Sequence, residues 1–205
     1  LQPQLLNFDR FESRELAGGV RYLRFDEFNR RSLFWLSREL KQHRDAPAVI
    51  LDLRQNGGGT TFVLRVALAE FFPHAVSAGT FITRSGRQSE TGSFGWLPAR
   101  YAGRVIVLTG PASGSSSEIL AHVFQHYGRA TIVGRKTAGA VILSLFYALP
   151  GGGRLQIPIQ DYVGLDGQRL EGRGVTPDVI VPAATLPQLR ACEDRDLAAA
   201  LELLR

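Results

Sequence analysis

Short apolar runs alternate along the chain with longer stretches whose apolar positions recur every three to four residues. GVRYLRFDEF (19–28) reads as a strand, and residues 28–45 place Leu33, Phe34, Leu36 and Leu40 near helical spacing. The uninterrupted run APAVILDLR (46–54) predicts a strand buried on both faces, and TTFVLRVALAEFF (60–72) a helix. TFITRS (80–85) and QSETGSFGWL (88–97) suggest a hairpin or a loop excursion. RVIVLTG (104–110) is a second buried strand, followed by a helix over 115–127 and a strand over 129–137. Residues 142–163 alternate around Pro150-Gly-Gly-Gly and predict a β-hairpin. Residues 166–182 read as a turn, an irregular stretch and a last strand, and residues 186–205 as one C-terminal helix. Strands alternating with helices predict an α/β layered fold.

Residues 1–18 are polar and aperiodic, and they predict a segment that connects residues 19–205 to sequence further upstream. The chain has no methionine, even at position 1, and its start does not read as a signal peptide, which together suggest a piece of a longer protein. No stretch approaches the roughly 20 apolar residues of a membrane-spanning helix. The net charge of +5 rests almost wholly on arginine, since Lys41 and Lys136 are the only lysines. These basic residues are scattered, a pattern of solvated surface rather than of a nucleic-acid footprint. The single cysteine, Cys192, excludes an internal disulfide and a cysteine-rich metal site. His122 and His126 lie one turn apart on a predicted helix. The metalloprotease spacing would need Glu where Val123 stands, so we expect no metal there and read both as helix surface or interface.

Two turns carry the candidate chemistry. GPASGSSSE (110–118) lies between a predicted strand and a predicted helix. That geometry holds a serine hydroxyl at a helix N-terminus, where peptide N–H groups stabilise developing negative charge. LDLRQNGGGT (51–60) is a glycine turn that also follows a buried strand. Together the two could supply a nucleophile and both halves of an oxyanion hole. Asp52, Arg54 and Asn56 flank the glycine turn and are expected to brace it.

Four segments in order resemble the catalytic domain of the carboxy-terminal-processing, or tail-specific, serine peptidases of family S41. They are GVRYLRFDEF, VILDLRQNGGG, VLTGPASGSSSEILAHVFQHYGRATIVGRKTAG and IPIQDYVGLDGQRLEGRGVTPDVIV, covering roughly residues 19–182. The resemblance implies a ClpP/crotonase-like layered fold and a serine peptidase that needs no cofactor and acts on protein or peptide. It places the nucleophile at Ser115, three residues before Glu118; the other reading is that Ser113, Ser115, Ser116 and Ser117 serve to cap the helix, with Ser117 as the cap and Ser113 part of the turn. It puts the oxyanion hole at the N–H of Ser116 and that of Gly57 or Gly58, with substrate backbone pairing to a nearby strand edge.

The lysine that serves as base in the tail-specific branch has no counterpart, because TAGA (137–140) puts Ala140 in its place and Lys136 comes four residues early. TAGA and LEGRGVTPD look more like the branch of the tricorn core and the interphotoreceptor-retinoid-binding-like members. There a histidine is the base and an acidic residue, here Glu171, orients it; the other reading of Glu171 is a surface ion pair with Arg169 or Arg173. That histidine would lie upstream of this chain, beside PDZ and helical domains, and the family is often exported. Two other readings remain: a non-catalytic binding protein on the same fold, and, more remotely, an acyl-CoA enzyme of crotonase type. Oligomeric state is open.

Overall fold

The computed structural model describes residues 11–97 and 99–205. In chain order its strands are β1 (Phe11–Glu15), β2 (Arg21–Phe25), β3 (Ala48–Asp52), β4 (Ser77–Thr83), β5 (Gln88–Gly92), β6 (Arg104–Thr109), β7 (Thr131–Gly134), β8 (Leu143–Ala148), β9 (Arg154–Val163) and β10 (Val179–Ile180). The helices are α1 (Arg30–Gln42), α2 (Thr61–Ala69), α3 (Ser116–His126), α4 (Leu186–Arg190) and α5 (Arg195–Leu203). One sheet has the order β1-β2-β3-β6-β7-β10, parallel except for the antiparallel β1–β2 pair. A second, antiparallel sheet has the order β5-β4-β9-β8.

The first sheet is covered on both faces, and the alternation along its strands divides two cores. Leu23, Phe25, Val49, Leu51, Val105, Val107 and Ile132 pack with residues of α1, α2 and α3. Tyr22, Ile50, Ile106, Leu108 and Val133 point the other way, onto Leu197 and Ala200 of α5. Every residue of β3 is buried, which explains its unbroken apolar run. Asn29 opens α1 with a reciprocal capping box to Ser32, so the helix begins two residues later than its spacing alone predicts.

Three expectations change. The segment before residue 19 was expected to be aperiodic connection; residues 1–10 lie outside the described residues, but Phe11–Glu15 form β1. As an edge strand exposed on both faces, β1 needs no apolar alternation, and Phe11 stacks on Trp35 instead. The predicted C-terminal helix is two helices. The chain breaks at Cys192, which sits at φ 54°, and Asp194 caps α5 by accepting the Leu197 N–H. The strand expected over 129–137 keeps only β7, since Arg135–Thr137 turn away to build the loops described next. No helix among the described residues is long and apolar enough to cross a membrane.

Candidate active site

β3 and β6 are parallel neighbours, with Asp52 opposite Leu108, so both small-residue turns leave the same end of the sheet side by side. Ligands collect in the crevice at that end of parallel sheets. Side chains stitch the turns together. The Ser113 hydroxyl donates to the Leu53 carbonyl (2.7 Å) and that of Ser116 to the Gly59 carbonyl (3.0 Å). The Ser117 hydroxyl faces both oxygens of Asn56 at 2.8 Å. Asn56 is fully buried: its Nδ2 donates to the Phe25 carbonyl (2.9 Å) and its Oδ1 accepts the Gly58 N–H (2.9 Å). Ser117 is therefore not the helix cap; Ser115 holds that position.

Three of the four serines are buried and committed to this stitching, while Ser115 is half-buried and bonds to no side chain through its hydroxyl among the described residues. Its backbone stands at φ 51°, ψ −119°, a conformation costly for a residue with a Cβ. Glu118 holds it there. This fully buried carboxylate accepts the Ser115 N–H (3.0 Å), the Thr137 hydroxyl (2.6 Å), and the N–H groups of Gly139 (2.6 Å) and Ala140 (2.8 Å). The Ser115 N–H also reaches the Ala140 carbonyl (2.9 Å), so the 137–140 arm lies directly against the serine. Glu118 is the organising residue that the sequence reading used only as a landmark. The Ser-x-x-Glu spacing of a capping box was the signal for it.

A pocket of about 440 Å³ opens beside Ser115, lined by Gly57, Gly59, Ala140, Ile142, Leu143, Ser144, Gln156 and Glu171. The N–H groups of Ser116, Gly57 and Gly59 make no hydrogen bond among the described residues. Gly58, one of the two glycines expected to donate to an oxyanion, has its N–H occupied by Asn56. Gly58 serves through its missing side chain: a Cβ there would lie 2.5 Å from Ser115 Cβ and 3.0 Å from Ser116 N. Glu171 pairs with neither arginine offered for it. Arg169 meets Asp161, and Arg173 meets Asp166 at 2.8 Å. Its Oε2 accepts the N–H groups of Val141 (2.6 Å) and Ile142 (3.1 Å), and its Oε1 bonds to no described residue.

No histidine or lysine lines the pocket. Ala140 does, at the position where the resemblance expects lysine, and Lys136 is exposed outside it. His122 is buried rather than on a helix surface, and its Nε2 accepts the Leu165 N–H (3.0 Å), which fixes the neutral imidazole with its proton on Nδ1. Burial pushes its pKa below the usual histidine range. His43 ends α1 within 3.8 Å of Glu39, and His74 is exposed. Among the described residues no group of three or more His, Cys, Asp or Glu side chains is placed to hold a metal ion.

On the far side of the glycine turn, Arg54 joins it to α5. Its Nε bonds Asp52 (3.0 Å), and its two terminal nitrogens reach Asp194 at 2.6 and 2.8 Å. Asp52 also accepts the Arg54 N–H (2.9 Å) and the Tyr22 hydroxyl (2.6 Å), so the expected bracing role of Asp52, Arg54 and Asn56 is what these contacts perform.

The sequence model described as Peptidase family S41 matches residues 18–181. A carboxyl-terminal-processing protease of Picosynechococcus is 29% identical over 190 residues, covering 90% of this chain and 45% of its own length. A solved putative peptidase of Parabacteroides merdae superposes with a TM-score of 0.79 at 22% identity, covering 95% of this chain and 64% of that one. The tricorn protease superposes at 0.69 and 22% identity, over 91% of this chain and 18% of that one. The two structural likenesses are statements about the fold. The chain spans less than half the length of the curated carboxyl-terminal-processing relatives from Picosynechococcus and Synechocystis.

Proposed function

Because this chain belongs to peptidase family S41, we propose that it is the catalytic portion of a serine endopeptidase acting on extended polypeptide. The observation that carries the reading is Ser115 itself. It is one of two non-glycine residues at positive φ among the described residues, at a helix N-terminus, and it lines a pocket together with Gly57 and Gly59, whose amides make no hydrogen bond among the described residues. Strain retained at such a position, with neighbours built to hold it, is the mark of a group set up for reaction.

The Ser115 oxygen would bond to the scissile carbonyl carbon as the carbonyl electrons move onto its oxygen. Ser116 N–H and the unpaired glycine amides of Gly57 and Gly59 would receive that oxyanion. Collapse expels the amine with a proton and leaves an ester on Ser115, which water then hydrolyses. The serine proton needs an acceptor, and the pocket lining offers no lysine or histidine. On this reading a histidine from upstream sequence approaches Ser115. Glu171 orients it through Oε1, while Oε2 holds Val141 and Ile142 in place. The PDZ and helical domains expected upstream would present the substrate.

The test is labelling with a serine-reactive fluorophosphonate, with the adduct mapped by mass spectrometry and Ser115→Ala as control. The 205-residue chain is expected to label slowly and the full-length protein rapidly, at Ser115 in both. Full peptidase activity in full-length Ser115→Ala would overturn the assignment. Rapid labelling of the 205-residue chain would overturn the upstream histidine, and no labelling of the full-length protein would leave a binding scaffold.

A further inference from the structure

The residues beyond 181 lie outside the family match, yet α5 grips both loops that shape the site. Asp194, at its N-cap, meets Arg54 through both carboxylate oxygens, at 2.6 and 2.8 Å. Asp196, in the first turn of the helix and almost fully buried, accepts from Arg54 (3.1 Å) and from Arg135 (2.8 Å). Arg135 immediately follows β7 and Arg54 comes two residues after β3, and each stands two residues before the side chain that sets a site loop. Arg54 precedes Asn56, which fixes the Gly58 N–H and Ser117. Arg135 precedes Thr137, whose hydroxyl donates to Glu118 and accepts the Val175 N–H (2.7 Å).

The backbone of Arg135 is itself locked to β6, its N–H to the Thr109 carbonyl (3.0 Å) and its carbonyl to the Thr109 hydroxyl (3.1 Å). Arg54 is similarly fixed by Asp52. Each guanidinium therefore ties α5 to a held backbone segment that leads directly into a site loop. Leu197 and Ala200 anchor α5 in the second core, so the two carboxylates are presented from a rigid element.

We propose that Asp194 and Asp196 form an ionic latch through which the C-terminal helix positions the glycine turn and the 137–140 arm around Ser115. All four charged residues are positioning residues, since none touches the pocket beside the serine. The proposal rests on Ser115 being the nucleophile. It assigns a role in the site to a helix that the family-matched region does not include, and it makes the serine's reactivity depend on residues 194–196.

The experiment uses the full-length protein carrying Asp194→Asn and Asp196→Asn together. Asparagine keeps an N-cap acceptor at 194 while removing both charges. Hydrogen–deuterium exchange is followed by peptide, beside kcat and KM. Leu40→Ala, in α1 in the core on the opposite face, supplies a comparison of lowered stability with the latch intact. We expect exchange over 54–60 and 135–142 to quicken by at least about tenfold, the scale of a lost charge-assisted bidentate pair. Exchange in β4 and β5 should stay unchanged, and kcat should fall with KM nearly constant. Uniform quickening, or the same pattern in Leu40→Ala, overturns the latch. Local quickening with an unchanged kcat overturns its catalytic role. If Ser115→Ala also keeps full activity, the nucleophile assignment has failed instead, and the exchange result still reports on the latch.

Discussion

Gly58→Ala is the sharpest perturbation of the proposed oxyanion hole, because it adds one methyl group and removes no hydrogen-bonding atom. An added Cβ would stand 2.5 Å from Ser115 Cβ, 2.8 Å from the Gly114 carbonyl oxygen and 3.0 Å from Ser116 N. Carbon atoms rest at about 3.5–4.0 Å, so the serine turn must retreat by roughly 1 Å. The residue also sits at φ 103°, which an alanine adopts only with strain of about 1–3 kcal/mol. For a domain of this size that corresponds to a fall of roughly 2–10 °C in melting temperature. The catalytic cost is larger. Misplacing a reacting group by about 1 Å costs on the order of 100-fold, and losing one oxyanion donor about 100- to 1,000-fold. The two losses are the same displacement seen twice, so we expect kcat/KM to fall by about 100- to 1,000-fold rather than by their product.

Gly57→Ala is the matched control. Nothing lies within 4 Å of a Cβ at Gly57, its backbone is outside the left-handed region, and alanine keeps the N–H. It should melt like the parent and lose less activity than Gly58→Ala, any loss coming from a methyl in the pocket that Gly57 lines. The assay is the rates of fluorophosphonate labelling and peptide hydrolysis in the full-length protein, beside a thermal melt. A folded Gly58→Ala protein with the parent's rates would show that the Gly58–Ser115 approach does not shape the reacting centre. Equal loss in Gly57→Ala would show that the added methyl acts by some route other than this contact.

Ala140→Lys places an amine in the pocket beside Ser115; in the 205-residue chain it should raise fluorophosphonate labelling of Ser115, with a rate that climbs with pH as the amine deprotonates, and a rate equal to the parent's would show that a lysine at 140 does not reach the hydroxyl. His122 gives a stability test. Burial lowers its folded-state pKa, the nearby Asp166 carboxylate opposes that shift, and Arg173 and His126 reinforce it. The folded state therefore prefers the neutral ring, and its stabilising contribution is complete above the unfolded value near 6.5 and lost as pH falls through the lower folded one. Urea midpoints should drop on acidification from pH 7 more steeply in the parent than in His122→Gln, and parallel profiles would refute this.

What the sequence disclosed follows from where burial is unambiguous. β3 and β6 are covered on both faces, so VILDL and VIVLT announce themselves by composition alone. β1 does not, because FESRE lies at an edge and is held by backbone pairing and one aromatic stack. The broken C-terminal helix was hidden for a different reason: no glycine or proline marks residues 190–195, where the chain turns at Cys192 and Asp194 both caps α5 and reaches Arg54, 140 residues away in sequence. Within the site, the family spacing to Glu118 singles out Ser115 among four serines, and the hydrogen bonds that distinguish it from the other three depend on tertiary contacts no spacing shows. Ser113, Ser116 and Ser117 are occupied in joining the turns. The occupied Gly58 N–H was not readable, since it depends on the rotamer of a buried Asn56.

The site also separates into parts of unequal replaceability. The oxyanion donors we propose are backbone, and their placement depends on the strand order, on Asn56, on Glu118 and on the space left by Gly58. No single side chain can stand in for that arrangement. A proton acceptor is different, because any base brought within hydrogen-bonding reach of Ser115 serves. Ala140 in place of a lysine therefore removes the most interchangeable component and leaves the costly one intact. In a triad hydrolase stripped of its side-chain machinery, oxyanion stabilisation and binding alone retain about 1,000- to 10,000-fold catalysis over water. A scaffold that keeps the strained serine, the unpaired amides and a half-committed Glu171 is what one expects where the base arrives from another segment, rather than where catalysis has been given up. We therefore read the retained strain at Ser115, rather than the four donors that any fully buried carboxylate such as Glu118 requires, as the feature that favours a peptidase over a binding protein.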